Sequence, residues 1–296
     1  MPDGRTLLIA GETATGKSAL ALDVAERLGG EIVSVDAVAV YRGLDIGSAK
    51  ADAAARRRVA HHLLDLCEPW DGYTLGRFLT DARAAIARIR ATGRPVVLVG
   101  GTGLYARALV EGWRPPPPPS PAVRSELRRR VAREGAPALW RELRTRDPAW
   151  AARLSPHDTT RVVRALERIA EGHGEGGADP DLALFGGLEA VVLTVAPSVM
   201  RERIRLRAQA HFAAGLLEET LAALRRGARV DDPGLRHIGY RAAAAWCTGR
   251  LSRAEALRRT VADTVALARR QRTYWRSVAW AEAMTAEAAR RRLLGG

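Results

Sequence analysis

Hydrophobic positions in this 296-residue chain fall into two patterns, short unbroken apolar runs and longer helix-spaced stripes. Residues 5–10 (RTLLIA), 31–36 (EIVSVD), 94–100 (RPVVLVG) and 188–195 (LEAVVLTV) are the unbroken runs. Their length and lack of alternation predict strands buried on both faces, as in a parallel sheet covered by helices. Helical spacing follows the first run (SALALDVAERL) and reappears over 51–60. It is clearest over 75–91, where Phe78, Ala82, Ala85, Ile86 and Ile89 share one face before Gly93 ends the helix. Residues 115–119 are five prolines with Pro121 just beyond, a stiff extended connector. Residues 121–172 then read as helices without a strand-like run, and 173–181 as a flexible loop. After the run at 188–195 the chain reads as helical over 197–226, 240–248 and 252–277, and no internal repeat is evident. The expected fold is α/β, a parallel sheet flanked by helices. Residues 1–114 and 185–296 form the core with a helical C-terminal segment, and 115–184 an inserted all-helical domain.

Between the first strand and first helix, residues 11–18 read GETATGKS, the pattern G-x-x-x-x-G-K-[ST] of a phosphate-binding loop. Strand, glycine loop and helix stand in the required order, so the core is expected to be P-loop NTPase-like. The loop amides of Gly11, Thr13, Ala14, Thr15 and Gly16 turn toward one point, where the positive end of the helix dipole also lies. Lys17 reaches phosphate oxygens from there, and the Ser18 hydroxyl is placed to sit on Mg²⁺. The run at 31–36 ends in Asp36, and ligands of such sheets bind outside the carboxyl ends of the strands. A carboxylate there acts as a base or holds Mg²⁺ through water. The run at 94–100 ends in glycines and not in the acidic metal ligand of a nucleotide hydrolase. Those glycines are expected to let the backbone approach a ligand closely, with the Thr102 hydroxyl beside them.

Charge narrows the partner. The chain carries 47 basic and 33 acidic residues, a net +14, of which +9 lies in residues 181–296. That excess points to a polyanion, most simply nucleic acid. Arg203 with Arg207, and Arg269 with Arg272 and Arg276, form basic helix faces suited to a phosphate backbone. Only Lys17 and Lys50 are lysines among the basic residues, which marks Lys50 for a special task. Cys67 and Cys247 match no metal spacing and are expected to be reduced thiols. Adjacent His61 and His62 cannot both serve one metal. No apolar run approaches a membrane span, and the first residues run into a strand without a basic export segment. The expectation is a cytoplasmic protein without a membrane partner.

With these residues collected, the chain resembles the tRNA dimethylallyltransferases, or tRNA isopentenyl transferases, over nearly its whole length. The resemblance rests on the phosphate loop, on Ser34-Val-Asp36 followed by 40–50 (VYRGLDIGSAK), and on 61–65 (HHLLD) and 99–105 (VGGTGLY). It continues through 161–167 (RVVRALE), 238–240 (IGY) and 268–271 (ARRQ) with Trp275-Arg276. It implies transfer of a dimethylallyl group from dimethylallyl diphosphate to N6 of the adenine just 3′ of the anticodon in tRNA. The loop then grips a leaving diphosphate with Mg²⁺. Asp36, Thr102 and Arg207 are the implied catalytic residues. Asp36, Ala37, Val38, Ala39, Arg124, Thr160, Arg161, Arg164, Arg236, Gly239, Tyr240 and Arg241 are the implied contacts to the anticodon arm, and a monomer is expected. The chain departs from the family pattern at Glu12, where Pro is usual, at 37–39 (AVA, usually Ser-Met-Gln) and at Thr160, usually Gln. The segment 172–187 is short and lacks the usual Thr-Gly…Ser pattern.

Three other functions meet some of these features. A small-molecule kinase or ATPase predicts an acidic strand end and has no use for the basic C-terminal segment. An adenylate prenyltransferase making a cytokinin shares the donor site but needs no tRNA surface. A non-catalytic RNA-binding protein has no need of Lys17 and Asp36 together.

Overall fold

The structure, a computed structural model, describes residues 4–174, 177–184 and 187–295. It divides into two units, residues 1–111 with 183–296, and residues 112–182.

In the first unit the chain runs β1 (Thr6–Gly11), α1 (Lys17–Leu28), β2 (Glu31–Ser34), α2 (Ala53–Arg58), β3 (His61–His62), α3 (Leu75–Ala91), β4 (Val96–Gly100) and α4 (Gly103–Val110). The second unit holds β5 (Trp113–Arg114), α5 (Pro121–Glu134), α6 (Ala136–Arg146), α7 (Pro148–Ala151), α8 (Thr159–Ala170) and β6 (Gly177–Ala178). The chain re-enters the first unit with β7 (Leu188–Leu193), α9 (Pro197–Ala213), α10 (Leu216–Arg225), α11 (Tyr240–Cys247), α12 (Arg253–Arg276), β8 (Glu282–Met284) and α13 (Ala286–Leu294).

The sheet order is β3-β2-β4-β1-β7-β8, and every pairing in it is parallel. All six residues of β1 are buried, because it lies between β4 and β7 with helices on its faces. Leu7 and Ile9 pack with Leu20, Val24 and Ala25 of α1 and with Ala289 and Leu293 of α13. The loops after β1, β2 and β4 therefore leave neighbouring strands at the same, carboxyl end of the sheet. Of the four runs expected as strands, all enter it. The sheet also gains β3 and β8, whose pairs and triplets of residues are too short to register as apolar runs.

A second core lies under the C-terminal helices. Tyr41 and Leu44 of the loop after β2 pack there with Phe212, Leu216, Leu217, Leu235 and Tyr240. The helix expected over 197–226 is broken into α9 and α10, because Gly215 turns left-handed at φ 103°. The helix expected over 51–60 is shorter. The Asp52 side chain caps α2 by accepting from the Ala55 N–H, and Val59 is already extended.

The loop from Asp36 to Lys50 is pinned at its end by the lysine that stood out in the sequence. The Lys50 side chain is fully buried, and its ammonium donates to the Tyr41 carbonyl at 2.8 Å and to the carboxylates of Asp45 and Asp65. Three acceptors meet the three N–H groups of an ammonium, a fit a planar guanidinium cannot make. Arg56 completes the charge balance by bonding the second Asp65 oxygen at 2.8 Å. Midway along, the Glu219 carboxylate accepts from the N–H groups of Asp45 and Ile46, each at 2.9 Å, and from the Tyr240 hydroxyl at 2.6 Å.

The second unit has its own core of Leu127, Leu139, Leu143, Trp150, Val162 and Leu166. It is not wholly helical: β5, just before the five prolines, pairs antiparallel with β6, which lies inside the stretch expected to be a flexible loop. Residues 175 and 176 of that stretch, and residue 185, where the core was expected to resume, lie outside the described residues.

Candidate active site

A cavity of about 320 Å³ opens at the carboxyl end of the sheet. Thr13, Lys17 and Ser18 line it from the phosphate loop, Asp36, Val38 and Ala39 from the loop after β2, and Gly100 and Gly101 from the end of β4. Arg207 and His211 enter from α9, His237 and Ile238 from the turn before α11, and Gln271 from α12.

The phosphate loop takes the strained path its sequence calls for. Gly11 stands at φ 131°, and a Cβ there would lie 2.3 Å from the Leu193 carbonyl oxygen. Ala14 is left-handed at φ 65°. The Thr15 hydroxyl is buried and donates to the Glu12 carbonyl at 2.8 Å, so Thr15 faces a ligand with backbone alone. Lys17 also donates to the Glu12 carbonyl. Burial and the Arg207 charge push the Lys17 pKa down to about 8, against the opposing pull of Asp36 and Glu12. Arg207 donates to the Thr13 hydroxyl, and burial lowers its pKa while Asp36 raises it. Arg203, one turn earlier on α9, reaches the Ala14 carbonyl at 3.4 Å. Lys17 and Arg207 thus lie close enough to repel each other, a repulsion that an anion between them would relieve.

Asp36 lines the same cavity from the loop after β2. Its Oδ1 accepts from the N–H groups of Val38 at 2.7 Å and Ala39 at 3.1 Å, which fixes the carboxylate. Its Oδ2 makes no hydrogen bond to the described residues. The glycines at the end of β4 serve close approach, as expected, but to the protein's own chain. A Cβ on Gly100 would lie 1.9 Å from the Val35 carbonyl oxygen, and one on Gly103 would lie 2.3 Å from the Tyr274 ring. Thr102 follows Gly101 as the residue preceding α4, and its side chain makes no capping bond.

Three residues named in the sequence take roles at this site that the sequence did not reveal. Gln271 ties two of the loops together. Its amide oxygen accepts from the Thr13 N–H at 2.9 Å and its amide nitrogen donates to the Gly101 carbonyl at 2.9 Å. Glu12, where Pro was expected, is 2% exposed and forms a two-bond pair with Arg272, at 2.6 and 2.8 Å. Arg272 also donates to the Val195 carbonyl at 2.6 Å. The basic face expected from Arg269, Arg272 and Arg276 therefore loses its middle member to the interior, because a buried carboxylate claims it. The ARRQ stretch was noticed in the sequence, but Glu12 lay too far away to be recognised as a partner.

The expected tRNA contacts divide between the units. In the first, Asp36, Val38 and Ala39 line the cavity and Ala37 is half-buried. Arg236 is exposed, Gly239 is buried at φ 90°, and Arg241 pairs with Asp263 at 2.7 Å. Tyr240 is fully buried, and its hydroxyl is held by Glu219 and the Gly47 N–H. Its side chain packs the core and presents no surface to a nucleic acid, a correction to the expectation for this residue. In the second unit, Arg124 and Arg164 both pair with Glu167, at 3.4 and 3.2 Å, Arg161 pairs with Asp158 at 3.3 Å, and Thr160 is exposed. Among the described residues no group of three or more His, Cys, Asp or Glu side chains could hold a metal, and no helix is long and apolar enough to cross a membrane.

Comparison with known proteins places this geometry. The model of the IPP transferase family matches residues 39–278, and that of the isopentenyl transferase family matches residues 4–65. The chain is 45% identical over 290 residues to a tRNA dimethylallyltransferase of Anaeromyxobacter dehalogenans, covering 93% of this chain and 94% of that one. It is 44% identical over 276 residues to that of Thermomicrobium roseum, covering 90% and 82%. Among solved structures it is similar to the full-length tRNA isopentenylpyrophosphate transferase of Bacillus halodurans, with TM-score 0.73 and 30% identity over 99% of this chain and 95% of that one. It shares its fold with a eukaryotic dimethylallyltransferase whose structures were determined acting on tRNA, with TM-score 0.74 and 21% identity over 91% and 69%.

Proposed function

The chain belongs to the tRNA dimethylallyltransferase family and is a tRNA prenyl transferase, and we propose that its chemistry takes place in the cavity between Lys17, Arg207 and Asp36. The substrates are dimethylallyl diphosphate and the adenine 3′-adjacent to the anticodon. The observation that carries this reading is that two half-buried cations, Lys17 and Arg207, and one carboxylate, Asp36, line a single cavity and act on one another's charge. A phosphate loop alone equally fits a nucleotide. A loop facing a fixed carboxylate, with a neutral strand end at β4, fits displacement of a diphosphate by a nucleophile that must lose a proton.

The diphosphate lies on the amides of residues 11–18, with Lys17 and Arg207 on its oxygens. The adenine N6 attacks C1 of the dimethylallyl group as the C1–O bond breaks. The bonding pair leaves with the diphosphate, whose growing charge the two cations stabilise. The N6 proton passes to Asp36 Oδ2, since an exocyclic amine is a poor nucleophile unless a base takes its proton. Thr102 steadies the amine or Asp36. Ser18 fits a Mg²⁺ ion: it is exposed in the first turn of α1 beside Lys17, and its hydroxyl is unengaged among the described residues. Bound with the diphosphate, Mg²⁺ supplies further neutralisation of the leaving group.

The adenine must leave its stack to reach Asp36. Arg236 and Arg241 on the first unit, and Arg124, Thr160, Arg161 and Arg164 on the second, hold the anticodon arm. Glu167 orients two of these arginines before tRNA arrives.

Incubation with dimethylallyl diphosphate, Mg²⁺ and a tRNA carrying adenines at and after the third anticodon position is expected to yield N6-prenyladenine in the tRNA. Prenylation of AMP with none of tRNA overturns the reading in favour of a cytokinin-type enzyme. Donor binding also has a pH signature. The ammonium form of Lys17 holds the diphosphate, and its pKa of about 8 in the free site rises when the anion binds. Affinity for dimethylallyl diphosphate is therefore constant below about pH 8 and falls by up to about tenfold per pH unit above it. Calorimetric titrations between pH 7 and 9.5 check this, and a flat profile removes Lys17 from the grip.

A further inference from the structure

His237 lines the same cavity as Asp36, close enough for the Asp36 charge to act on it. The cavity residues that follow these two in the chain, Val38 and Ala39 after Asp36 and Ile238 after His237, are aliphatic. None of them makes a directional contact to a base, and Ala39 is too short to reach one. The imidazole is held in place from behind. Its ring packs at 5.9 Å and 46° against Tyr41, itself 2% exposed, and its carbonyl accepts from the Arg241 N–H at 2.9 Å at the start of α11. Its ring nitrogens make no hydrogen bond to the described residues. Burial lowers its pKa, with Asp36 pulling the other way, so the ring is neutral at pH 7. A neutral imidazole presents one donor, one acceptor and a flat face. These match the needs of an adenine ring, which has acceptor nitrogens on its edges and a π-face for packing.

We propose that His237 is a base-selecting residue of this transferase: its ring N–H donates to a ring nitrogen of the flipped adenine, and its face packs the purine so that N6 meets Asp36. The inference rests on the reading of the cavity as the prenylation site. It assigns the adenine's place within that site to a side chain that neither the phosphate loop nor the catalytic carboxylate explains.

Steady-state kinetics of His237→Ala, His237→Asn and His237→Phe with an unmodified tRNA transcript test it, alongside calorimetric titration of dimethylallyl diphosphate. In His237→Ala, kcat/KM for tRNA is expected to fall by about 5- to 100-fold, the range for one lost hydrogen bond to a buried group. Donor affinity stays within about twofold of wild type. His237→Asn, which keeps a donor, recovers most of the loss, and His237→Phe, which keeps only the flat face, recovers less. Unchanged tRNA kinetics in His237→Ala overturn the inference alone. An equal loss of donor and tRNA affinity in all three variants also overturns it, and makes His237 a scaffold residue. If wild-type protein forms no product with any tRNA, the prenylation reading falls and this assignment falls with it.

Discussion

Asp36→Asn and Asp36→Ala are both expected to lower turnover by about 10²- to 10⁴-fold, the usual worth of a positioned general base. The two variants differ in what else they remove. The Asp36 Oδ1 holds the N–H groups of Val38 and Ala39 and shapes the turn that enters the cavity. An asparagine keeps that oxygen and loses only the proton acceptor, so Asp36→Asn retains tRNA affinity within a few-fold and still fails in chemistry. Alanine loses the turn as well and weakens tRNA binding modestly. Single-turnover rates and filter binding separate the two effects. If Asp36→Asn keeps more than a tenth of the wild-type rate, Asp36 is a shaping residue and the base lies elsewhere.

Glu12→Ala is expected to cost roughly 3–5 kcal/mol of stability, because it leaves the Arg272 guanidinium without its buried counter-charge. Arg272 keeps its bond to the Val195 carbonyl, which offsets part of the loss. Adding Arg272→Met to Glu12→Ala removes the stranded charge and should restore more than half of the lost stability. Denaturant unfolding of the two single variants and the double variant completes the cycle. A second effect appears in function. Glu12 lies in the loop whose carbonyl orients Lys17, so Glu12→Ala also raises the KM for dimethylallyl diphosphate. A loss of stability below about 1 kcal/mol shows that the pair does not hold the loop.

Much of this site is legible in the linear chain because its information is local. The phosphate loop, the helix after it and the carboxylate after β2 each declare themselves within ten residues. The four long strands are equally plain, since burial on both faces leaves a continuous apolar run. What escapes is non-local. Glu282–Met284 carries a glutamate and joins the sheet only because β7 offers an open edge. Tyr240 reads as a tRNA contact beside a glycine, but the Glu219 carboxylate and the Gly47 N–H, 193 residues earlier, draw its hydroxyl inside. Lys50 stood out by its rarity, but nothing in its neighbourhood told that Asp65 and the Tyr41 carbonyl would close around it. Arg272 looked like one of several solvated arginines on a helix. A single carboxylate 260 residues earlier decides otherwise.

That separation has a consequence in time. Glu12 and Thr13 are made before their partners Arg272 and Gln271, which are added roughly 260 residues later. At about 5–20 residues per second, the interval is on the order of 10–50 s. During it, the nascent loop carries a carboxylate with no cation and an amide with no acceptor. The phosphate loop is thus finished only once α12 has been made.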